Sequence, residues 1–460
     1  MVLFYVTFID LNSGEIAMQE TVGMFTHNGS CYNPGIIKDT AGKAVDNLSG
    51  NILCGNVLDI LKTLPDKCID MTFTSPPYFN QRFYKSTPIV WDGDEICEHD
   101  WGEIKNKALQ LQTGNKEFQR KWREEASSKE ANLGCFCNKC GAWKGQLGQE
   151  PTPDLYIKHL CSVYKEIKRV LKDDGTCWIN LGDTYRDKSL LQIPHLFATE
   201  MIDNGYIMRN VIVWSKDNAM PSNCTDRFTV DFEYLFFFTK NRNYYFEQQF
   251  EPVLYYENRA SGLVRHRRPR RFQPSHGKKY RDKINGNEYE LYDDKNNFKG
   301  PSGLYRADGT RKNDPEKRNK RCVWNINTKG FTGSHFATMP LELIETPIKA
   351  GCPESVCKKC GKARVKVIDS ESVPTRPGNM SKDTDGVFAA SRKRFMPVYK
   401  GDYYETCDCN AGFDPGIVLD PFVGSGTTCI MTERLNRRWI GVDISVEYCK
   451  MAIERIKTGK

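Results

Sequence analysis

The chain reads as an α/β protein with a doubly wound, mostly parallel sheet. Three observations predict this. Short apolar strands alternate with helical patterns at both ends of the 460 residues. Two of those strands, Cys68–Thr74 and Ile417–Leu419, run straight into turns rich in Pro or Gly. A basic, Gly- and Asn-rich stretch then separates the two regular halves.

Taken in order, Met1–Asp10 is apolar but lacks a basic flank and a cleavage site, and is read as a strand. Asn51–Asn56 and Val57–Leu64 read as a strand end and a short helix. Cys68–Thr74 alternates as a half-buried strand, stopped by Pro76-Pro77, which cannot donate to a ladder. Asp154–Leu171 has helical spacing with Pro153 at its start. Thr176–Leu181, Met208–Trp214 and Phe232–Thr239 are strands, Leu196–Asn204 and His335–Ile348 helices. Ile417–Leu419 passes through Asp420–Gly426 into a helix and then into strand Trp439–Val442.

With 39% apolar and 27% charged residues, the chain can build a core and still carry long polar excursions. No segment approaches the roughly twenty apolar residues of a membrane span, so no membrane partner is expected. The 18 cysteines do not suit a disulfide scaffold, which belongs to short secreted domains. A reducing, cytoplasmic setting is expected. The net charge of +8 is modest, but residues 259–321 hold nineteen Lys/Arg against eight Asp/Glu. That one stretch carries more than the whole excess.

Val418-Leu-Asp-Pro-Phe-Val-Gly-Ser-Gly-Thr-Thr428 aims free backbone N–H groups at a ligand. A phosphate loop would need a lysine two residues beyond the second glycine, where Thr428 stands. A dinucleotide fingerprint would need a third glycine near Cys429. What fits is a ligand with a carboxylate, an ammonium and a ribose but no phosphate: S-adenosylmethionine. Asp420 suits its amine and Asp443 its ribose hydroxyls, with Pro421, Phe422, Gly424, Ser425, Gly426 and Thr427 completing the cradle.

Ser75-Pro76-Pro77-Tyr78 is a stiff turn at a strand end. It offers the Ser75 hydroxyl and the Pro76 carbonyl as acceptors and Tyr78 as a flat face for a base. Two acceptors holding the hydrogens of a base amine favour a more tetrahedral nitrogen whose lone pair points at a sulfonium methyl.

Together, these two motifs resemble the amino-methyltransferases of DNA restriction–modification systems, in the beta-class order of catalytic motif before cofactor motif. Gly55-Asn56-Val57-Leu58-Asp59 is similar to the segment whose acid, here Asp59, lies near the cofactor. His335-Phe-Ala-Thr-Met-Pro340 is similar to the start of the family's helix over the methionine moiety. Val213-Trp214-Ser-Lys216, with Asn218, Met220-Pro221 and Arg227, resembles the lining of the target-base pocket. The resemblance implies a site-specific methyltransferase that flips its base, here cytosine N4, since serine before Pro-Pro-Tyr accompanies that base. Adenine N6 is the alternative. An RNA or protein amine methyltransferase, or a non-catalytic zinc-bearing DNA-binding protein, are further ones. Double-stranded DNA is the expected partner, with a cognate restriction endonuclease and a monomer or homodimer as open points.

Cys97, His99, Cys137 and Cys140 have the spacing for one structural zinc, and Cys357, Cys360, Cys407 and Cys409 for a second. Cys135 could substitute in the first set and Cys352 in the second. Arg265, Arg267, Arg268, Arg270, Arg271, Lys278, Lys279 and Arg281 form the dense basic cluster, with aromatics interleaved, suited to phosphates and guanine edges. The expected organisation is an N-terminal extension (1–45), a catalytic half (46–245, zinc insertion about 92–150), a target-recognition region (246–328) and a cofactor-binding half (329–460, zinc insertion about 352–410).

Overall fold

The structure is a computed structural model. It describes residues 6–9, 16–19, 23–25, 31–32, 48–81, 88–103, 134–252, 280–281, 288–289, 317–328, 338–373, 394–404 and 407–459. The chain divides into two compact units. One comprises Met1–Gln248, Arg321–Val365 and Glu405–Lys460; the other comprises Gln249–Lys320 and Lys366–Tyr404.

The larger unit is built on one ten-stranded sheet. Its strands are β1 (Gly23–Phe25), β2 (Cys31–Tyr32), β3 (Asn51–Cys54), β4 (Ile69–Thr74), β5 (Leu171–Leu181), β6 (Ile207–Ser215), β7 (Phe232–Thr239), β8 (Val323–Asn325), β9 (Ile417–Asp420) and β10 (Arg438–Asp443). Their spatial order is β8-β6-β7-β5-β4-β9-β10-β3-β1-β2. The run β5-β4-β9-β10-β3 is parallel throughout. β7 runs against both of its neighbours, and β1 against β3. The expected mostly parallel sheet is therefore present.

Among the described residues the helices are α1 (Val57–Thr63), α2 (Pro153–Val170), α3 (Ile193–Asp203), α4 (Leu341–Gly351), α5 (Thr427–Arg434) and α6 (Val446–Thr458). Asn56 caps α1 and Thr152 caps α2, each accepting a backbone N–H, so both helices start where the side-chain chemistry allows. Alternate strand residues feed two cores. Cys177, Ile179, Phe236 and Phe238 pack with Leu160, Val163 and Phe197 from α2 and α3. Trp178, Leu235 and Phe237 pack with Leu343, Ile344 and Ile348 of α4. A third cluster seats α6 through Ala452 and Ile453 against Ile52 and Trp439.

Two sequence expectations need correction. β4 is not half-buried: all six of its residues are buried, because a central parallel strand is covered on both faces. Its acidic member Asp70 is held by Lys172 at 2.5 Å and by the Ile417 backbone N–H at 2.8 Å. Secondly, the helix expected from His335 begins only at Leu341, with Pro340 as its N-cap. Residues 331–337, and His335 with them, lie outside the described residues.

Candidate active site

The parallel strands all end at one edge of the sheet, where open α/β folds place ligands. There the C-terminal ends of β3, β4, β9 and β10 and the start of β7 surround a cavity of about 280 Å³. Its wall includes Gly55–Val57, Ser75–Tyr78, Asn180, Trp214, Lys216, Glu233, Asp420–Ser425 and Asp443. The two motifs, over 300 residues apart in sequence, meet there: Thr74 Oγ1 donates to Asp420 Oδ1 at 2.6 Å.

Asp420 also accepts the Phe422 backbone N–H at 3.1 Å. Asp443 is held by two backbone donors, Gly424 N at 2.9 Å on one oxygen and Ser445 N at 2.8 Å on the other. Each carboxylate oxygen keeps a lone pair for a ligand hydroxyl. Burial pushes both acids up, to about 6 for Asp420 and about 6 for Asp443. Two desolvated carboxylates beside the N-terminus of α5 suit a cationic ligand with a sugar and no phosphate. The residues present therefore fit S-adenosylmethionine, which supplies an electrophilic methyl on sulfur when bound. Asp59 stands on the first turn of α1, beyond Gly55, Asn56 and Val57, which line the cavity. Thr338 and Met339 line it just before Pro340.

Ser75 and Tyr78 are joined by a network that sequence reasoning missed. Ser75 Oγ donates to the Tyr78 hydroxyl at 3.1 Å, and that hydroxyl donates to Glu233 Oε2 at 2.6 Å. Asn180 Nδ2 donates to the Tyr78 oxygen at 2.5 Å and to Glu233 Oε2 at 2.7 Å. Lys216 completes it with an ion pair to Glu233 Oε1, and its ammonium lies 4.1 Å from the Trp214 ring centre. The Pro77 carbonyl is occupied by the Tyr156 hydroxyl at 2.8 Å, while Pro76 lines the cavity. Glu233 and Asn180 carried no local motif; only strand pairing brings β5 and β7 beside the turn.

A second network braces the turn from behind. Asn80 N donates to Gly148 O at 2.7 Å, and Gly148 N donates to Glu150 at 2.8 Å. Glu150 in turn meets His159 Nδ1 at 3.0 Å. The His159 ring stacks with Trp91 and with Trp143, at 4.8 and 5.4 Å between centroids. Thus the small sheet formed by Ile89–Trp91, Trp143–Gly145 and Cys135–Phe136 is tied to α2 and to the Pro-Pro turn.

Each of the two cysteine sets comes together in space. The ligand atoms of Cys97, His99, Cys137 and Cys140 all lie within 4.8 Å of one another, as do those of Cys357, Cys360, Cys407 and Cys409. Cys97 Sγ and Cys137 Sγ are 4.0 Å apart, near the separation of roughly 3.8 Å implied by tetrahedral Zn–S bonds of about 2.3 Å. Gly141 and Gly361 follow the two Cys-x-x-Cys pairs with φ of 76° and 71°, the left-handed turn a knuckle requires. The backbone N–H of Cys360 helps pull the Cys357 thiol down to about 6, toward the thiolate that binds metal. Cys135 and Cys352 lie outside both groups; Cys352 is fully buried beside Pro353.

Of the basic cluster, Arg265, Arg267, Arg268, Arg270, Arg271, Lys278 and Lys279 lie outside the described residues. Arg281 lies in the short strand Tyr280–Arg281 of the smaller unit. Among the described residues no helix is long and apolar enough to cross a membrane.

Fold and cleft together define an α/β protein of the S-adenosylmethionine-dependent methyltransferase type. A family model described as DNA methylase matches residues 69–357 and 412–454, well over half of the chain, and the chain belongs to that family. It is thus a DNA amino-methyltransferase of the N6/N4 kind. It is 26% identical over 420 residues to the type II methyltransferase M.XycI of Xanthomonas campestris pv. cyanopsidis, covering 84% of this chain and 94% of that one. With the type II methyltransferase M.SmaI of Serratia marcescens it shares 25% over 341 residues, 68% and 77% of the two chains. The solved structure of PvuII DNA methyltransferase (cytosine-N4-specific) aligns over 89% of this chain and 93% of its own, at 14% identity and a TM-score of 0.42.

Proposed function

We propose that the protein methylates the N4 amine of a cytosine within a specific duplex sequence. The observation that carries this reading is the Ser75 hydroxyl in the wall of the same cavity as Asp420 and Asp443. A base amine is a weak nucleophile with its lone pair spread into the ring. Ser75 and the Pro76 carbonyl hold its two hydrogens, and the lone pair turns toward the methyl donor. Tyr78, fixed by its saturated hydroxyl, offers its ring to the base. Since an amine inside the stack cannot reach the cleft, the base is extruded first. Asp420 holds the cofactor amine and Asp443 its ribose, on the loop Pro421–Thr427.

The remaining assignments belong to the same reading. Both cysteine sets hold zinc with all four positions filled, which suits structure rather than a metal-bound water. The arginine-rich stretch 265–281 contacts phosphates and base edges, so DNA affinity falls steeply with salt. A restriction endonuclease of the same sequence specificity is the partner this activity would accompany, and the enzyme works as a monomer or homodimer.

Mass spectrometry of nucleosides from unmethylated genomic DNA, incubated with the protein and S-adenosylmethionine, tests the base. N4-methylcytosine is expected. N6-methyladenine without it overturns the assignment.

A further inference from the structure

The hydrogen-bond chain behind Ser75 has a direction. An ionised carboxylate only accepts, so Glu233 obliges the Tyr78 hydroxyl to donate to it, at 2.6 Å. The Asn180 amide donates to both, at 2.5 Å to Tyr78 and 2.7 Å to Glu233. The phenol oxygen then has one lone pair left, and it takes the Ser75 hydrogen at 3.1 Å. Ser75 Oγ is left facing the cavity as an acceptor alone. Lys216, just beyond the end of β6, holds the other oxygen of Glu233 in an ion pair.

We propose that Glu233 is the positioning residue and proton sink of the transfer, acting on the substrate amine through Tyr78 and Ser75. The proposal rests on the amine-methylation reading above. Before transfer, the chain fixes Ser75 as an acceptor of an amine hydrogen. During transfer, the amine lone pair forms the N–C bond while the S–C bond breaks, its electrons staying on sulfur. The methylated nitrogen then carries a positive charge and must lose a proton. That proton passes to Ser75 Oγ as the serine proton moves to Tyr78 and the tyrosine proton to Glu233. The carboxylate ends neutral, and its proton leaves to water with the product. Serine alone is a poor terminal base; an acidic side chain two hydrogen bonds away removes that difficulty without exposing a charge to the reacting centre. The charged and titratable groups that hydrogen-bond to Glu233 among the described residues are Lys216, just beyond β6, and Tyr78 from the turn.

The test uses the full chain, labelled S-adenosylmethionine and unmethylated genomic DNA under single-turnover conditions. Glu233→Gln and Tyr78→Phe should each slow transfer by about 100-fold, the low end of general acid–base effects. The double variant should be no slower than the worse single one, because both break one chain. Cofactor binding by calorimetry should stay within threefold of wild type. The solvent deuterium isotope effect expected on transfer by the wild type should be missing in Glu233→Gln. A Glu233→Gln rate within threefold of wild type, an unchanged solvent isotope effect, or multiplicative effects in the double variant would each overturn the relay. Should Glu233→Gln not fold, Tyr78→Phe decides in the same way. If the wild type itself transfers no methyl to DNA, the amine-methylation reading fails, and the relay with it.

Discussion

Thr74 and Asp420 close the site: the last residue of β4 donates a 2.6 Å hydrogen bond to the last residue of β9. Both are buried, so the bond fixes the Ser75 turn against the cofactor loop within the sheet itself. The ends of two neighbouring parallel strands diverge over their helices, and the bond sits where that divergence opens the cleft.

Burial raises Asp420 and Asp443 to about 6 each. A carboxyl raised in the fold stabilises the ligand-free protein while protonated. That contribution is complete below about pH 4 and is lost as pH rises through about 6. A cationic ligand favours the ionised forms, so S-adenosylmethionine should bind more tightly at pH 7 than at pH 5 and release protons near pH 6. Calorimetry in buffers of different ionisation enthalpy measures both. Constant affinity from pH 5 to 7 would refute the assigned roles. Asp443→Ala should weaken binding by about 10- to 100-fold, the range for a charged hydrogen bond.

Ser75→Ala should act on rate and not on cofactor affinity. Losing an acceptor of the amine together with the first link of the relay costs at least about 100-fold in single-turnover rate. A rate equal to wild type would remove Ser75 from the chemistry.

Metal analysis should find two zinc per chain. Cys137→Ser and Cys360→Ser should each lose one equivalent independently, while Cys135→Ser and Cys352→Ser keep both. Protein purified without chelators and free of zinc would rule the sites out.

Gly182 is a steric prediction. A Cβ there would sit 2.8 Å from Tyr78 Cε2, too close for a ring whose hydroxyl is held by three partners. Gly182→Ala should cost roughly 1–3 kcal/mol of stability, as overpacking does, and slow transfer by displacing Tyr78. Thermal melting together with the transfer rate checks it; a fully active, equally stable variant would show that the ring has room to move.

What the sequence by itself determined is local and chemical. Proline pairs end strands, glycines open the turn after β9, and close Cys pairs come together, so spacing picked out Ser75–Tyr78, Asp420–Gly426 and both cysteine sets as local features. Strand periodicity located β7 as Phe232–Thr239, with the same ends the structure has. Tertiary structure alone decided the burial of β4, since a single strand cannot report that helices cover both of its faces. It also decided that Cys135 and Cys352 stand apart from the sulfur groups. Above all it placed Glu233, Asn180 and Lys216 around Tyr78. Those three come from the ends of β7, β5 and β6, and only antiparallel pairing of β7 between its neighbours brings its first turn of residues to the edge where the others finish. The Thr74–Asp420 bond spans 346 positions in sequence; periodicity carries no signal at that range, and the sheet register does.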